Sequence, residues 1–172
     1  MPSPVGHALG GLIVGLLTRA RLTDKPYPQY LPHQTHLTIC AVAACLPDID
    51  FLWGRHNMET HSLGFAVLVG LAAYAWQRSP RLGLACTLAC ASHVLFDWLG
   101  SDTTPPLGVV ALWPLSNEFY FADVPVFQAI SRRYWLPNFV THNLLAVARE
   151  IAILLPIVAV VWWLRNPSRR VG

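Results

Sequence analysis

His93 and Asp97 stand four residues apart in SHVLFDWLGSD (92–102), at the end of a run otherwise built from Leu, Ala, Gly and Cys. A four-residue step on a helix brings two side chains to one face, so an imidazole and a carboxylate there can converge on one point. Such a pair suits a divalent cation, which would offset the cost of burying both groups. A His–Asp hydrogen bond inside a core would use the same spacing, so the pair alone does not decide.

Residues of the same chemistry stand beside the other apolar runs. LPDIDF (46–51) sets Asp48 and Asp50 next to a proline that helps end a helix, ETHS (59–62) places His61 ahead of one, and GHALGG (6–11) puts His7 among small neighbours. Each has a bland reading: a helix-terminal turn for the two aspartates, a cap for His61, a structural role for His7. Thr60 or Ser62 would cap more conventionally than His61. Six such side chains, His7, Asp48, Asp50, His61, His93 and Asp97, exceed what one tetrahedral zinc uses, so one or two ions are expected. Asp50, Asp102 and Glu150 are the candidates for a catalytic base or a second-ion ligand. Glu150 lies inside AREIAILLP and needs a partner, which Arg149 is poorly placed to be, since adjacent helical residues point about 100° apart. His142, two turns earlier, reads as a ligand or a surface residue.

Five apolar stretches carry these residues or flank them: 6–19, 36–47, 61–77, 82–99 and 140–164. None alternates with a period of two, so helices are expected. Residues 100–138 form a connector rich in proline and aromatics, expected to pack as a cap with a short helix near 123–132. Charged residues make up 12% of the 172-residue chain and hydrophobic ones 54%, with mean hydropathy +0.43. Soluble domains carry roughly 25% charge, so the composition implies an integral membrane protein. The expected fold is all-α: one domain, 1–172, a polytopic membrane bundle of about five helices with a cap between helices 4 and 5. No basic region opens the chain, so a cleaved signal peptide is not expected. Cys40, Cys45, Cys86 and Cys90 lie in apolar stretches without a CxxC pair and read as small core residues. A net charge of +3 with no basic tract argues against direct nucleic-acid binding.

If the helices alternate in direction, all six His and Asp candidates fall at one end of the bundle, together with His142 and Glu150. Eight of the twelve Lys and Arg residues fall at the other: Arg19, Arg21, Lys25, Arg78, Arg81, Arg165, Arg169 and Arg170, with Asp24 as its one acid. By the positive-inside rule the basic end is cytoplasmic and the candidate site faces outward. Leu63–Trp76 and Ile151–Leu164 give only 14 clean apolar residues each, as if each helix loses about a turn to a shared polar site. His33, His36 and His56 read as interfacial, and Trp53, Trp98, Trp113, Trp135, Trp162 and Trp163 as interface or core aromatics.

GHALGG, LPDIDFLWG, ETHSLGF, SHVLFDWLGSDTTPP and ALWPLS, with a late AREI, resemble the inner-membrane-associated, LexA-binding metal-dependent hydrolases. The resemblance runs from His7 to about Glu150. It implies a polytopic bacterial inner-membrane protein with hydrolase activity and a regulatory protein partner. The order His7, Asp48 or Asp50, His61, then His93 and Asp97 is also distantly similar to zinc-dependent phospholipase C and the P1-type nucleases. Those enzymes continue with HxxxE, whereas His142 is followed four residues later by Ala146. The likeness implies Zn2+, with Mn2+ or Fe2+ as other occupants, and a phosphoester or lipid-type substrate cleaved by activated water. Two rivals remain on the sequence alone: a divalent-cation transporter, since intramembrane His and Asp also mark ion paths, and a metal-stabilised scaffold or regulator without turnover.

Overall fold

The computed structural model describes residues 1–19, 31–53, 58–103 and 105–166. Five α-helices carry the fold: α1 (Pro4–Thr18), α2 (His33–Cys45), α3 (Leu63–Gln77), α4 (Pro80–Trp98) and α5 (Phe139–Arg165). A 3-10 helix, Leu46–Trp53, continues directly from α2. No strand forms among the described residues; the only pairing there is two isolated bridges, Gly100 with Phe127 and Val109 with Tyr120. The chain is an all-α membrane protein of about five helices.

Serine and proline punctuation starts three of the helices. Ser3, Ser62 and Ser79 each accept a backbone N–H three residues on, and Pro4 and Pro80 fill first-turn positions where no N–H is needed. With Ser62 as the cap of α3, His61 is released from that role. α4 is central: it packs against α1, α2 and α3, while α5 packs on α1. The α3–α4 crossing is close because glycines face each other. A Cβ on Gly70 would come within 2.7 Å of the Gly83 carbonyl oxygen, the small-residue packing by which helices approach in lipid. Between α2 and α4 lies an apolar core of Cys40, Ala43, Ala44, Leu82, Ala85, Cys86 and Ala89.

The surface is the reverse of a soluble protein's. Val67, Leu68 and Leu71 on α3, Leu84 and Leu88 on α4, and Leu144, Leu155 and Val160 on α5 are all exposed. Two helical segments are long and apolar enough to cross a bilayer, His33–Leu52 (20 residues) and Phe139–Arg165 (27 residues). The second corrects the expectation of uniformly shortened helices. It runs unbroken through Arg149 and Glu150 because Glu150 is fully buried and supplied with donors from Ser3. Its ends are marked by exposed Trp135, just before it, and Trp162 and Trp163, placed as interfacial anchors.

Two of the basic residues meet where the ends of α1 and α5 come together. Arg165 donates to the carbonyls of Leu16 and Arg19, and Arg19 donates to that of Arg165, tying the ends of α1 and α5. Thr18 and His36 hydrogen-bond at 3.1 Å, joining the end of α1 to the start of α2. His36 is therefore buried rather than interfacial. Arg21, Asp24, Lys25, Arg55, His56, Arg169 and Arg170 lie outside the described residues, as does the side chain of Trp53.

The cap forms as expected, but without the short helix near 123–132. Its backbone N–H groups go elsewhere: Val126 and Phe127 donate to the Leu99 carbonyl, and Ile130 to that of Met1. Ala129 donates to the Ser101 hydroxyl. Pro125, which has no N–H, suits the extended strap that results. Elsewhere the cap carbonyls of Ala111 and Trp113 accept from Leu63 and Gly64, satisfying donors that the first turn of α3 leaves unpaired.

Candidate metal centre

Four segments bring their polar side chains to one buried point. His7 comes from the second turn of α1, Asp48 from the 3-10 helix, His61 from the residue before the cap of α3, and His93 and Asp97 from the last turns of α4. His93 Nε2 lies 2.9 Å from Asp97 Oδ2 and 3.8 Å from Asp48 Oδ1. His61 Nε2 lies 3.5 Å from Asp97 Oδ2 and 3.6 Å from Asp48 Oδ1, and His7 Nε2 is 3.4 Å from Asp97 Oδ1. The His7 and His93 rings stack with centroids 3.6 Å apart.

These spacings fit ligands around a cation. Donors about 2.1 Å from one ion and roughly at right or tetrahedral angles sit about 3.0–3.4 Å apart. Two overlapping sets have one donor atom per residue within 4.8 Å of the rest, His7–Asp48–His93 and His61–His93–Asp97. His7 Nδ1, His93 Nε2 and both Asp97 oxygens are buried with no hydrogen-bond partner among the described residues. Buried polar atoms of this kind are rare and need an explanation. Here the contacts are close yet misaligned for hydrogen bonding, as expected of groups aimed at a common point. The charges agree: carboxylates cluster around a fully buried imidazole. Burial alone would lower the His61 pKa, but the neighbouring carboxylates of Asp48 and Asp50 carry it up to about 9.

The surrounding contacts set the tautomers. His93 Nδ1 is 2.7 Å from the Ala44 carbonyl, which can only accept, so Nδ1 carries the proton and Nε2 presents a lone pair. His61 Nδ1 meets Asp50 Oδ2 at 3.1 Å, and Thr60 donates to the same Asp50 oxygen. A carboxylate behind a histidine fixes ring orientation and raises basicity at the far nitrogen. Asp50, expected as a ligand, thus lies behind His61 and joins neither ligand set.

Glu150 also stands apart from both sets. It accepts from the Ser3 N–H at 2.7 Å and from the Ser3 hydroxyl, so it anchors the start of α1 rather than offering a free base. Asp102 accepts from Gly108 N–H at 3.1 Å, where Gly108 has φ +91°, and borders the cleft described next. His142 is engaged at both nitrogens, with Gln128 and the Ala129 carbonyl. The Ser3–Glu150 clamp escaped the sequence reading, although Ser3–Pro4 is a visible helix-start signal.

The centre is nearly sealed. His7, His61, His93 and Asp97 are at most 1% exposed, whereas Asp48 is 20% exposed. Asp48 forms part of the wall of a cleft of about 810 Å³, bordered also by Phe51, Asp102, Ser131, Arg132 and Leu136. Access to the centre therefore runs past Asp48.

Residues 1–169 match the family described as YdjM inner membrane protein. The chain belongs to that family. It is 32% identical over 189 residues to the inner membrane protein YbcI of Escherichia coli (strain K12), covering 96% of this chain and 100% of that relative. No solved structure matches. Membership places this YdjM-family chain in the inner membrane, in agreement with its apolar exterior.

Proposed function

We propose that this protein is a membrane-bound, metal-dependent hydrolase acting on a phosphoester or lipid-type substrate. The observation that carries the reading is the convergence of three imidazoles and two carboxylates on one buried point whose single exposed member, Asp48, opens into a cleft. His7, Asp48, His61, His93 and Asp97 would hold the ion. His93 has only Nε2 to offer, so the two sets that share it describe one ion rather than two. A nitrogen and oxygen donor set suits Zn2+, with Mn2+ and Fe2+ as alternatives. When bound, such an ion supplies Lewis acidity and lowers the pKa of a ligated water toward neutrality.

The chain's own residues supply the remainder. Asp50 and the Ala44 carbonyl orient His61 and His93. The strap and the 3-10 helix border the route to Asp48, and Asp102, which lines the same cleft, would accept a proton from an incoming nucleophile. Glu150 takes no part in proton transfer in this reading. With the basic ends of the helices in the cytoplasm, the protein crosses the membrane several times and its cleft faces the periplasm.

A transporter would need polar groups continuing toward the basic ends, and the apolar packing of Cys40, Ala43, Ala85, Cys86 and Ala89 below the site argues against that route. The test is metal analysis of purified protein together with hydrolysis of a phosphoester panel. Stoichiometric metal and turnover that both disappear in His93→Ala support the reading. Metal retained without turnover on any ester would replace it with a scaffold or regulator, and metal-dependent uptake into liposomes with a transporter.

A further inference from the structure

The cleft above Asp48 carries features that binding an ion does not use. Its strap wall places Arg132 and Arg133 on the cleft, both exposed and neither with a carboxylate partner among the described residues. The Arg132 guanidinium lies 4.2 Å over the Phe51 ring. Phe51 and Asp48 are three residues apart on a 3-10 helix, where i and i+3 eclipse with a rise of about 6 Å. Arg132 is therefore held about one such turn from the exposed side chain of the metal centre.

The strap is also fixed in place. Asn143 bonds both backbone groups of Ser131, and His142 holds the Ala129 carbonyl. Arginines on a pinned segment, with one stacked on an aromatic ring, form a preorganised fork for an oxyanion. Of the acids on the cleft, Asp48 turns toward His61 and His93, and Asp102 accepts from the Gly108 N–H. The remaining lining is mixed, and its apolar members include Phe51, Leu136 and Phe139; Leu136 continues into the exposed Val140 and Leu144 of α5.

We propose that Arg132 and Arg133 form the anion-binding wall of the metal cleft, and that its occupant is a phosphorylated amphiphile. The phosphate group lies against the two guanidiniums, and the hydrocarbon part runs along Phe51, Leu136 and Phe139 toward the membrane. This inference rests on the metal-dependent reading for the chemistry that follows binding, and not for binding itself.

The test uses the full chain in detergent, with monohexyl phosphate, inorganic phosphate and hexanol as probes in calorimetric titrations, and with metal content measured in parallel. Arg132→Gln/Arg133→Gln weakens monohexyl phosphate binding at least about tenfold, while metal per chain is unchanged. Arg132→Lys, which keeps the charge but loses the planar stack, falls between. In the wild type, monohexyl phosphate binds more tightly than inorganic phosphate, and hexanol binds weakly and equally to both forms. Equal monohexyl phosphate affinity in wild type and double variant overturns the proposal. Inorganic phosphate binding as tightly as the hexyl ester overturns its amphiphile half. Arginine-dependent binding by a protein that holds no metal would support the anion wall and sink the hydrolase reading alone.

Discussion

The two halves of α4 are equally buried and do opposite things with that burial. Toward its start, Leu82, Ala85, Cys86 and Ala89 meet α2 in a dry core, and small residues there need nothing beyond close packing. Toward its end, His93 and Asp97 are as completely enclosed, yet His93 Nε2 and both Asp97 oxygens lack hydrogen-bond partners among the described residues. One helix thus shows that burial alone does not distinguish a core from a site. The distinction lies in whether the buried atoms are satisfied by their neighbours.

Substitutions separate the halves. The largest effect is expected for Asp97→Ala, which leaves three imidazoles without their shared carboxylate. Metal should fall below measurable occupancy, and breaking so buried an arrangement should destabilise the protein by about 3–5 kcal/mol, read as a lowered melting temperature. Gly70→Leu, at the dry crossing, should destabilise by about 1–3 kcal/mol through overpacking against Thr87 and Gly83, with metal per folded chain unchanged. Asp50→Asn keeps the shape behind His61 but removes the charge, and should weaken metal affinity about 10- to 100-fold, measured by chelator competition. Ser3→Ala removes a donor from buried Glu150 and should cost about 1–3 kcal/mol in stability without moving metal affinity. An equal loss of metal in Gly70→Leu and Asp97→Ala would erase the contrast between the halves.

The sequence showed much of the fold and part of the site. Helix positions were legible because the apolar runs are separated by turn-forming segments, although the Ser3–Pro4 and Ser79–Pro80 starts lie two residues ahead of the runs at 6–19 and 82–99. His7, His61, His93 and Asp97 were legible because ionisable groups in such runs are costly enough to need a reason. The difference between Asp48 and Asp50 was not. Both belong to one tripeptide, and only the 3-10 path of Leu46–Trp53 turns one to the cluster and the other to the back of His61. Glu150 likewise looked reactive because its partner, Ser3, lies 147 residues away. The strap read as a helix because its backbone donors end on α4 and the N-terminal segment, contacts that no local pattern encodes.

The central claim is that five side chains from four segments share one ion. Metal quantification combined with X-ray absorption at the metal edge tests it most directly on the purified, folded protein. The expected result is one ion per chain, surrounded by imidazole nitrogens and carboxylate oxygens, with that signature lost in His93→Ala. A protein that stays metal-free in excess Zn2+, Mn2+ or Fe2+, with an unchanged melting temperature, would contradict it.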